Sequence, residues 1–173
     1  GPGSTNTLTG VVAAWMDSTP MLVISGQVKR SDLVDGKGVR QMGFQEINIV
    51  PVVQSITKYA VTVTESSEIR YHMEKALWMA RNGRPGPCWV AIPLDVQATQ
   101  IKQDDLESFD PEEEGLIQED NHQWLFSKVQ ETLKLLKTSS KPVILVGNGV
   151  RLAKAKSSFL RMAEKLNVPV LTT

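Results

Sequence analysis

The sequence predicts an α/β fold built from parallel sheets, and three observations support this prediction. Short apolar runs alternate with longer segments whose apolar residues recur at helical spacing. The run from Cys88 to Ile92 contains no charged or amide side chain, which is typical of a strand buried on both faces of a parallel sheet. The same alternation resumes after an acidic segment. We therefore expect parallel-sheet, three-layer units.

The elements follow from these patterns in chain order. Helical spacing of apolar residues predicts helices at 8–16, 49–56, 66–82, 121–137 and 152–166. Apolar runs predict strands at 21–25, 60–63, 88–92, 143–146 and 168–171. Gly83 is expected to end the third helix in a left-handed conformation. The polar stretch from Gln27 to Gly43 is too long for a simple connector, so we expect it to be functional or mobile.

Composition excludes several classes of protein. The chain has 173 residues, of which 41% are apolar, with 19 Lys and Arg against 19 Asp and Glu. A formal net charge of zero gives no reason to expect a nucleic acid or an anionic membrane as partner. No apolar run approaches the length of a membrane span, and no signal peptide is visible. The single Cys88 has no disulfide partner, which predicts a reduced, cytoplasmic setting.

Acidic residues concentrate in one segment. Between Asp104 and Asp120 lie nine of the nineteen carboxylates and no Lys or Arg. Such a cluster resembles a metal site, but it lacks a fixed ligand spacing, and unpaired carboxylates repel each other. A solvated linker is the favoured interpretation. We therefore predict a first domain at 1–97, an acidic linker at 98–121 and a second domain at 122–173.

Two glycine-rich corners precede helices and are candidate ligand sites. Gly1-Pro2-Gly3 opens the chain, and Gly147-Asn148-Gly149 follows the fourth predicted strand. Glycine allows a ligand to approach bare backbone. The first corner also fits a simple tight turn or the remnant of a cleaved affinity tag. The second lacks the third glycine of a dinucleotide fingerprint, because Leu152 stands there, and it also fits an ordinary strand-to-helix turn.

Further motifs follow the first corner in a fixed order, and together they resemble thiamine-diphosphate enzymes of the acetohydroxyacid (acetolactate) synthase branch. These motifs are Ser25-Gly26-Gln27-Val28, Phe44-Gln45-Glu46, Ile56-Thr57-Lys58-Tyr59, Gly83-Arg84-Pro85-Gly86-Pro87, Ile92-Pro93-Leu94-Asp95-Val96-Gln97 and the run from Lys141 to Gly149. The resemblance covers essentially the whole chain and indicates that the first residues are native. The link between Gly-Gln-Val and Phe-Gln-Glu is longer here than is usual in the family.

The resemblance implies a fold and a set of site residues. Residues 1–97 resemble the C-terminal part of a pyrimidine-binding domain, and 122–173 resemble the start of a central Rossmann-like domain. Gly1, Pro2, Gly3 and Asn6 are expected to pack against the aminopyrimidine of thiamine diphosphate at an interface between subunits. Gln45, beside Phe44, resembles a glutamine over the reacting thiazolium, where a neutral amide can both donate and accept hydrogen bonds. The alternative for Gln45 is a surface amide.

The resemblance also concerns further cofactors. Gly147, Asn148 and Gly149 resemble a turn that lies against a structural FAD, although related decarboxylases keep this turn without a flavin. The family's glutamate that activates thiamine lies upstream of the first corner, and its Mg²⁺ and diphosphate ligands lie in a later domain. We therefore expect no metal ligands among these 173 residues and no activity from them alone.

The function implied is decarboxylation of a 2-keto acid such as pyruvate, followed by transfer of the hydroxyalkyl group to an acceptor. A homodimer or homotetramer is the implied assembly. Two alternatives stay open. One is a related thiamine-diphosphate decarboxylase or sugar-modifying carboligase, and the other is a nucleotide-binding or oligomerising module without chemistry of its own.

Overall fold

The structure, a computed structural model, describes residues 1–34, 36–117 and 121–173. The chain divides into two compact units, Gly1–Ile117 and Gln118–Thr173. The division falls inside the segment 98–121 that the sequence indicates as a linker.

A three-stranded parallel sheet forms the centre of the first unit. Its strands are β1 (Met21–Gln27), β2 (Tyr59–Thr62) and β3 (Pro87–Pro93), and their order in the sheet is β1-β3-β2. Val90 of β3 lies opposite Ile24 of β1 and Val61 of β2. The apolar runs thus form the predicted strands, with bounds that differ by a few residues.

Four α-helices surround this sheet: α1 (Leu8–Met16), α2 (Ile49–Val53), α3 (Ile69–Arg81) and α4 (Leu94–Gln97). Short 3₁₀ segments occur at Pro2–Thr7, Arg30–Asp32, Gln54–Ile56, Ser66–Glu68 and Gln103–Asp105. Gly83 follows α3 with φ of 65°, which is the left-handed conformation that the sequence predicts for it.

The core has two layers, one on each face of the sheet. On one face the buried residues are Val11, Ile49, Val53, Trp89 and Ala91, which join α1 and α2 to β3. On the other face they are Val63, Ala76, Ala80, Cys88, Val90 and Val96, with α3 as the main helix. Because β3 contributes alternate residues to both layers, it is buried on both faces as predicted. The first unit is therefore a three-layer α/β structure, and the predicted fold class is confirmed.

Helix α1 has no side-chain cap and only a narrow buried side. Ser4 and Thr5 do not cap α1, because the chain is already helical from Pro2 and their hydroxyls donate to carbonyls three residues earlier. The buried side of α1 consists of Val11 and Ala14, whereas Met16 at its end is 70% exposed. Of the four tryptophans, Trp89 is fully buried, whereas Trp15 and Trp124 are 40% and 60% exposed.

The acidic segment is not simply solvated. Residues 107–116, which we call the acidic strap, pack along α3. The N–H of Glu107 donates to the Ser67 carbonyl at 3.1 Å, and the N–H of Phe109 donates to Glu74 Oε2 at 3.0 Å. Lys75 Nζ lies 2.6 Å from Glu114 Oε2. One carboxylate of the strap, that of Glu114, is therefore paired with a cation of α3, which the linear sequence did not reveal. No group of three potential metal ligands occurs in the described residues.

The second unit contains a parallel pair of strands, β4 (Ile144–Val146) and β5 (Val170–Thr172), with Ile144 opposite Val170. Its helices are α5 (His122–Thr138), α6 (Gly149–Leu152) and α7 (Lys156–Leu166). The single helix predicted at 152–166 is interrupted, because Lys154 adopts φ of 54° between α6 and α7.

Two local features of the second unit follow from its sequence and contacts. Asn121 caps α5, since its side chain accepts the Trp124 N–H at 2.9 Å. The strand predicted at 143–146 forms as β4, but it is not buried in the described chain, where Leu145 is 68% exposed. None of the helices in the described parts of the chain is long and apolar enough to cross a membrane.

Candidate functional site

The first corner and the Phe44-Gln45-Glu46 motif lie against each other. A Cβ atom built on Gly1 would fall 2.7 Å from the backbone oxygen of Gln45, closer than any side chain could be accommodated. The two motifs are 44 residues apart in the chain, counted from Gly1 to Gln45. Glycine at position 1 is therefore what permits their contact.

The corner itself is anchored at the carboxyl end of the sheet. The backbone nitrogen of Gly1 donates to the carbonyl of Gly26, near the end of β1, at 3.0 Å. The Ser4 hydroxyl and N–H both donate to the Gly1 carbonyl, at 2.8 and 3.0 Å. In open α/β sheets, ligands bind outside the carboxyl ends of the strands. The corner is held at that end.

The outer surface of the corner is open. Pro2 and Asn6 are exposed, and a Cβ built on Gly3 would have no protein atom within 4 Å. The Asn6 side-chain amide donates to the Gly3 carbonyl at 3.2 Å. A flat ring could therefore approach the Gly3 backbone without displacing any described residue.

Phe44 and Gln45 project from the turn that meets this corner. Phe44 is 86% exposed, which is unusual for a large apolar side chain, and Gln45 is also exposed. Gln45 has φ of 51°, a left-handed conformation that is uncommon in residues other than glycine, asparagine and aspartate. Non-glycine residues in this conformation occur often at ligand-binding sites.

Glu46 is the residue of this motif that sequence reasoning did not interpret. Its side chain is buried, with the residue 8% exposed, and its carboxylate accepts the backbone N–H groups of Val34, Met42 and Gly43. Burial raises the pKa of Glu46, but the three N–H donors outweigh burial and hold the pKa below its ordinary value. The glutamate is therefore a structural anchor of the loop rather than an exposed acid.

The polar loop after β1 is held by hydrogen bonds at its first end. At the first end, the Gln27 side chain donates to the Ile47 carbonyl at 2.7 Å and accepts the Val28 N–H at 2.9 Å. Next to it, Arg30 donates its N–H and its Nε to the two carboxylate oxygens of Asp95, at 3.0 and 2.7 Å. The hydrogen bond from Arg30 lowers the pKa of Asp95. The described part of the loop, which we predicted to be functional or mobile, is thus held by Ile47, which precedes α2, and by Asp95 of α4.

A pocket of about 330 Å³ lies behind the turn. Glu46, Leu33 and Val34 form the side that belongs to the loop, and α2 and β2 supply most of the remainder. The other lining residues are Gln27, Asn48, Val50, Pro51, Ala60, Val61, Thr62 and Thr64. Phe44 and Gln45 are not among them, so the pocket and the exposed turn are separate features.

The predicted second corner lies in the second unit. Gly147, Asn148 and Gly149 connect β4 to α6, at the carboxyl end of the strand. A Cβ on Gly147 would lie 3.4 Å from the Thr173 hydroxyl, whereas one on Gly149 would meet no protein atom within 4 Å. The turn therefore leaves backbone accessible at Gly149.

One property of the first corner, its open backbone at Gly3, fits thiamine diphosphate. The backbone at Gly3 is open, and it lies in the same corner as Gly1, which touches the exposed turn at Gln45. An aminopyrimidine ring needs such a bare, flat surface.

The fold and this corner define a class of protein. Residues 1–52 match the family described as "Thiamine pyrophosphate enzyme, N-terminal TPP binding domain", and residues 129–173 match "Thiamine pyrophosphate enzyme, central domain". The chain belongs to the thiamine pyrophosphate enzyme family.

Within this family the chain is similar to acetolactate synthase large subunits. It is 35% identical to that of Lactococcus lactis subsp. lactis strain IL1403 over 173 residues, which are 100% of this chain and 28% of the relative. It is 32% identical to that of Buchnera aphidicola subsp. Schizaphis graminum strain Sg, over 100% of this chain and 29% of the relative. Identity to the isozyme 3 large subunit of Escherichia coli K12 is 32%, over 99% of this chain and 28% of that protein. The chain thus spans less than a third of the length of these relatives.

Proposed function

We propose that the protein is a thiamine-diphosphate-dependent carboligase of the acetolactate synthase kind. Its substrate would be a 2-keto acid such as pyruvate, which it decarboxylates before transferring the hydroxyalkyl group to an acceptor. The observation that supports this most directly is the contact between Gly1 and the Gln45 backbone. It joins the two motifs that the family resemblance associates with the cofactor and the reacting centre.

Each residue of the corner has a distinct part in this proposal. Gly1 keeps the turn close, and the open backbone of Gly3, together with Pro2 and Asn6, receives the aminopyrimidine. When bound, thiamine diphosphate supplies the nucleophilic carbon and the electron sink that decarboxylation of a 2-keto acid requires. Mg²⁺ and the diphosphate would be held by groups other than those described here.

Gln45 would act on the substrate itself. Its neutral amide can donate a hydrogen bond to an oxygen on which negative charge develops, and its carbonyl can accept one from a hydroxyl group. An amide also does not ionise at neutral pH and is a very weak acid, so it can orient the reacting group without protonating a carbanion. Phe44, which is largely exposed, would exclude water beside it.

FAD is proposed as a further ligand, at Gly147, Asn148 and Gly149. The support is the accessible backbone of Gly149 at the carboxyl end of β4. In this role the flavin would be structural. A related decarboxylase that binds no flavin would keep the same turn, so flavin content separates the two.

We further propose a cytoplasmic homodimer or homotetramer, in which the corner of one subunit would complete the site of another. A small 2-keto acid is the proposed substrate, and neither nucleic acid nor a membrane is a proposed partner. The zero formal net charge is consistent with this choice.

The test is an assay of the natural full-length protein with pyruvate, thiamine diphosphate and Mg²⁺. A carboligase releases carbon dioxide and forms a condensed hydroxy-keto acid, whereas a simple decarboxylase releases the aldehyde. Release of aldehyde alone would favour the decarboxylase alternative. If no 2-keto acid is consumed although the cofactors bind, the proposal fails.

A further inference from the structure

We propose that Glu46 is a positioning residue that folds the loop between β1 and α2 so that Gln45 is held against Gly1. This inference rests on the proposed function of Gln45 and adds to it a residue that does not touch the substrate. Neither the position of Glu46 in the motif nor its charge indicates this role in the linear sequence.

The first step of the argument is the set of donors that Glu46 collects. One carboxylate oxygen accepts the N–H of Val34, and the other accepts those of Met42 and Gly43, at 3.0 and 3.3 Å. Val34 precedes the middle of the loop and Met42 follows it. One carboxylate therefore holds the two ends of the segment between them together. Hydrogen bonds to an ionised acceptor are stronger than neutral ones, and burial strengthens them further.

The second step is the rigidity of the turn that follows. Gly43 is closely surrounded, because a Cβ at that position would lie 3.0 Å from the Asp32 carbonyl oxygen and 3.1 Å from Val28 Cγ1. The N–H of Glu46 donates back to the Gly43 carbonyl at 3.3 Å. Residues 43–46 therefore form a closed turn that is packed on the start of the loop.

The third step links this turn to Gln45. Gln45 lies between the closely packed Gly43 and the buried Glu46, and it adopts the left-handed conformation with φ of 51°. That conformation is unfavourable for a glutamine and persists only when its surroundings impose it. Glu46 supplies this constraint on one side, and the contact of the Gln45 oxygen with Gly1 supplies it on the other.

A carboxylate is required because all three partners are donors. Glutamine at position 46 would have nearly the same shape, but its NH₂ group would face at least one backbone N–H and leave that donor without an acceptor. Aspartate would keep the charge but would be one methylene shorter. Glu46→Gln therefore tests whether the negative charge is needed, and Glu46→Asp tests whether the length of the side chain is needed.

The first measurement reports on loop order without requiring activity. Trypsin can cleave after Lys37 and Arg40, which are exposed residues of the segment that Glu46 closes. In the natural full-length protein, Glu46→Gln should speed cleavage at these sites by on the order of tenfold, the factor that corresponds to the loss of one charge-assisted hydrogen bond. Glu112→Gln, which removes an exposed carboxylate elsewhere, should leave the rate unchanged.

The second measurement asks whether Glu46 acts through Gln45. In a double-mutant cycle, Glu46→Gln should lower kcat roughly tenfold when Gln45 is present and less than about twofold in a Gln45→Ala background. KM for the 2-keto acid should change little in either background. A residue that merely stabilised the fold would reduce the active fraction equally in both, so the two effects would then be additive.

The outcomes are distinct. Faster cleavage together with non-additive kcat values supports the inference. Unchanged cleavage, or additive effects, overturns it. If Glu46→Gln does not fold, Glu46→Asp decides in its place, because it should show the same two signatures to a smaller degree. If Glu46→Gln speeds cleavage but the unmodified protein has no carboligase activity, the proposed function is rejected and only the effect of Glu46 on loop order stands.

Discussion

The backbone oxygen of Gln45 lies 2.7 Å from the point that a Cβ on Gly1 would occupy. This contact joins the beginning of the chain to the turn after the long polar loop. It also shows why the first residue of the corner must lack a side chain. Several measurable consequences depend on it or on the surrounding fold.

Gly1→Ala should disturb the site without unfolding the protein. The added methyl group would meet a backbone atom that cannot rotate away, so the turn at Gln45 has to shift. We expect weaker thiamine diphosphate binding and a lower kcat, measured by titration calorimetry and steady-state kinetics on the full-length protein.

Gly10→Ala is the matched control, because no atom of the described residues lies within 4 Å of its Cβ position in α1. It should leave kinetics unchanged and stabilise the helix by roughly 0.5–1 kcal/mol. Equal effects of the two changes would contradict the steric argument.

Gln45→Ala should slow the carboligation steps more than it weakens cofactor binding. Loss of one donor to a developing negative charge costs on the order of 2–4 kcal/mol of transition-state stabilisation. Pre-steady-state product analysis would show reduced carboligation with a nearly unchanged Kd for thiamine diphosphate. Gln103→Ala, an exposed glutamine of the same unit, should behave as the unmodified protein. Normal turnover and product ratio in Gln45→Ala would remove this residue from the site.

Gly149→Val should abolish flavin binding while leaving the protein folded. No protein atom lies within 4 Å of its Cβ position, so a branched side chain fits the protein but blocks an approaching ligand. The measurement is the flavin absorbance of the purified full-length protein and its uptake of added FAD. Ser157→Val adds similar bulk to an exposed position of α7 and should bind normally. A flavin-free protein that takes up no FAD before any mutation would favour the decarboxylase alternative.

Trp89→Phe should destabilise the first unit substantially. Trp89 is fully buried, and its indole N–H donates to the Ser25 hydroxyl at 2.9 Å. The substitution leaves a cavity and removes this buried hydrogen bond, for an expected loss of roughly 2–3 kcal/mol. Denaturant titration followed by circular dichroism would measure it. Trp124→Phe, at an exposed position of α5, should change stability by less than about 0.5 kcal/mol. A similar loss in both variants would contradict the assigned core.

Docking of the acidic strap on α3 should be independent of pH near neutrality. Hydrogen bonds from Lys75 and Tyr71 lower the pKa of Glu114 below its ordinary 4.5. Burial lowers the pKa of Lys75, but hydrogen bonding to Glu114 and Tyr71 outweighs it and raises the pKa above 10.5. The stabilisation from Glu114 is therefore present above pH 4.5 and is lost as the pH falls through its depressed pKa. That from Lys75 is present below pH 10.5 and is lost as the pH rises through its raised pKa.

Hydrogen exchange at the Phe109 amide tests this prediction, because that N–H is bonded to Glu74. The pKa of Glu74 is also lowered, mainly by this N–H and to a smaller extent by Arg70. The bond between Phe109 and Glu74 should therefore also weaken only in acid. Protection, corrected for the intrinsic exchange rate, should be constant from about pH 6 to 9 and should fall only in acid. Loss of protection anywhere within that pH range would contradict the assigned contacts of the strap with α3.

Local sequence patterns were sufficient to predict much of the fold. Alternating apolar runs and helical spacing predicted every strand and the main helices, because strand and helix periods depend on neighbours in the chain. Gly83 and its left-handed φ were predicted for the same reason. The local pattern did not predict burial correctly where burial depends on residues that are distant in the sequence. Leu145 looks like a buried strand residue, and yet it is mostly exposed in the described chain.

The sequence by itself also determined the family, since its motifs occur in a fixed order, and it identified Gly1 and Gln45 as separate candidates. Only the tertiary structure decided that these two residues touch, that the acidic strap packs on α3, and that Glu46 is buried among three N–H groups. The physical reason is the same in all three cases. Each contact joins groups that the chain brings together through the sheet and its loops, and a hydrogen bond or a steric contact depends on distances that residue types and their spacing do not specify.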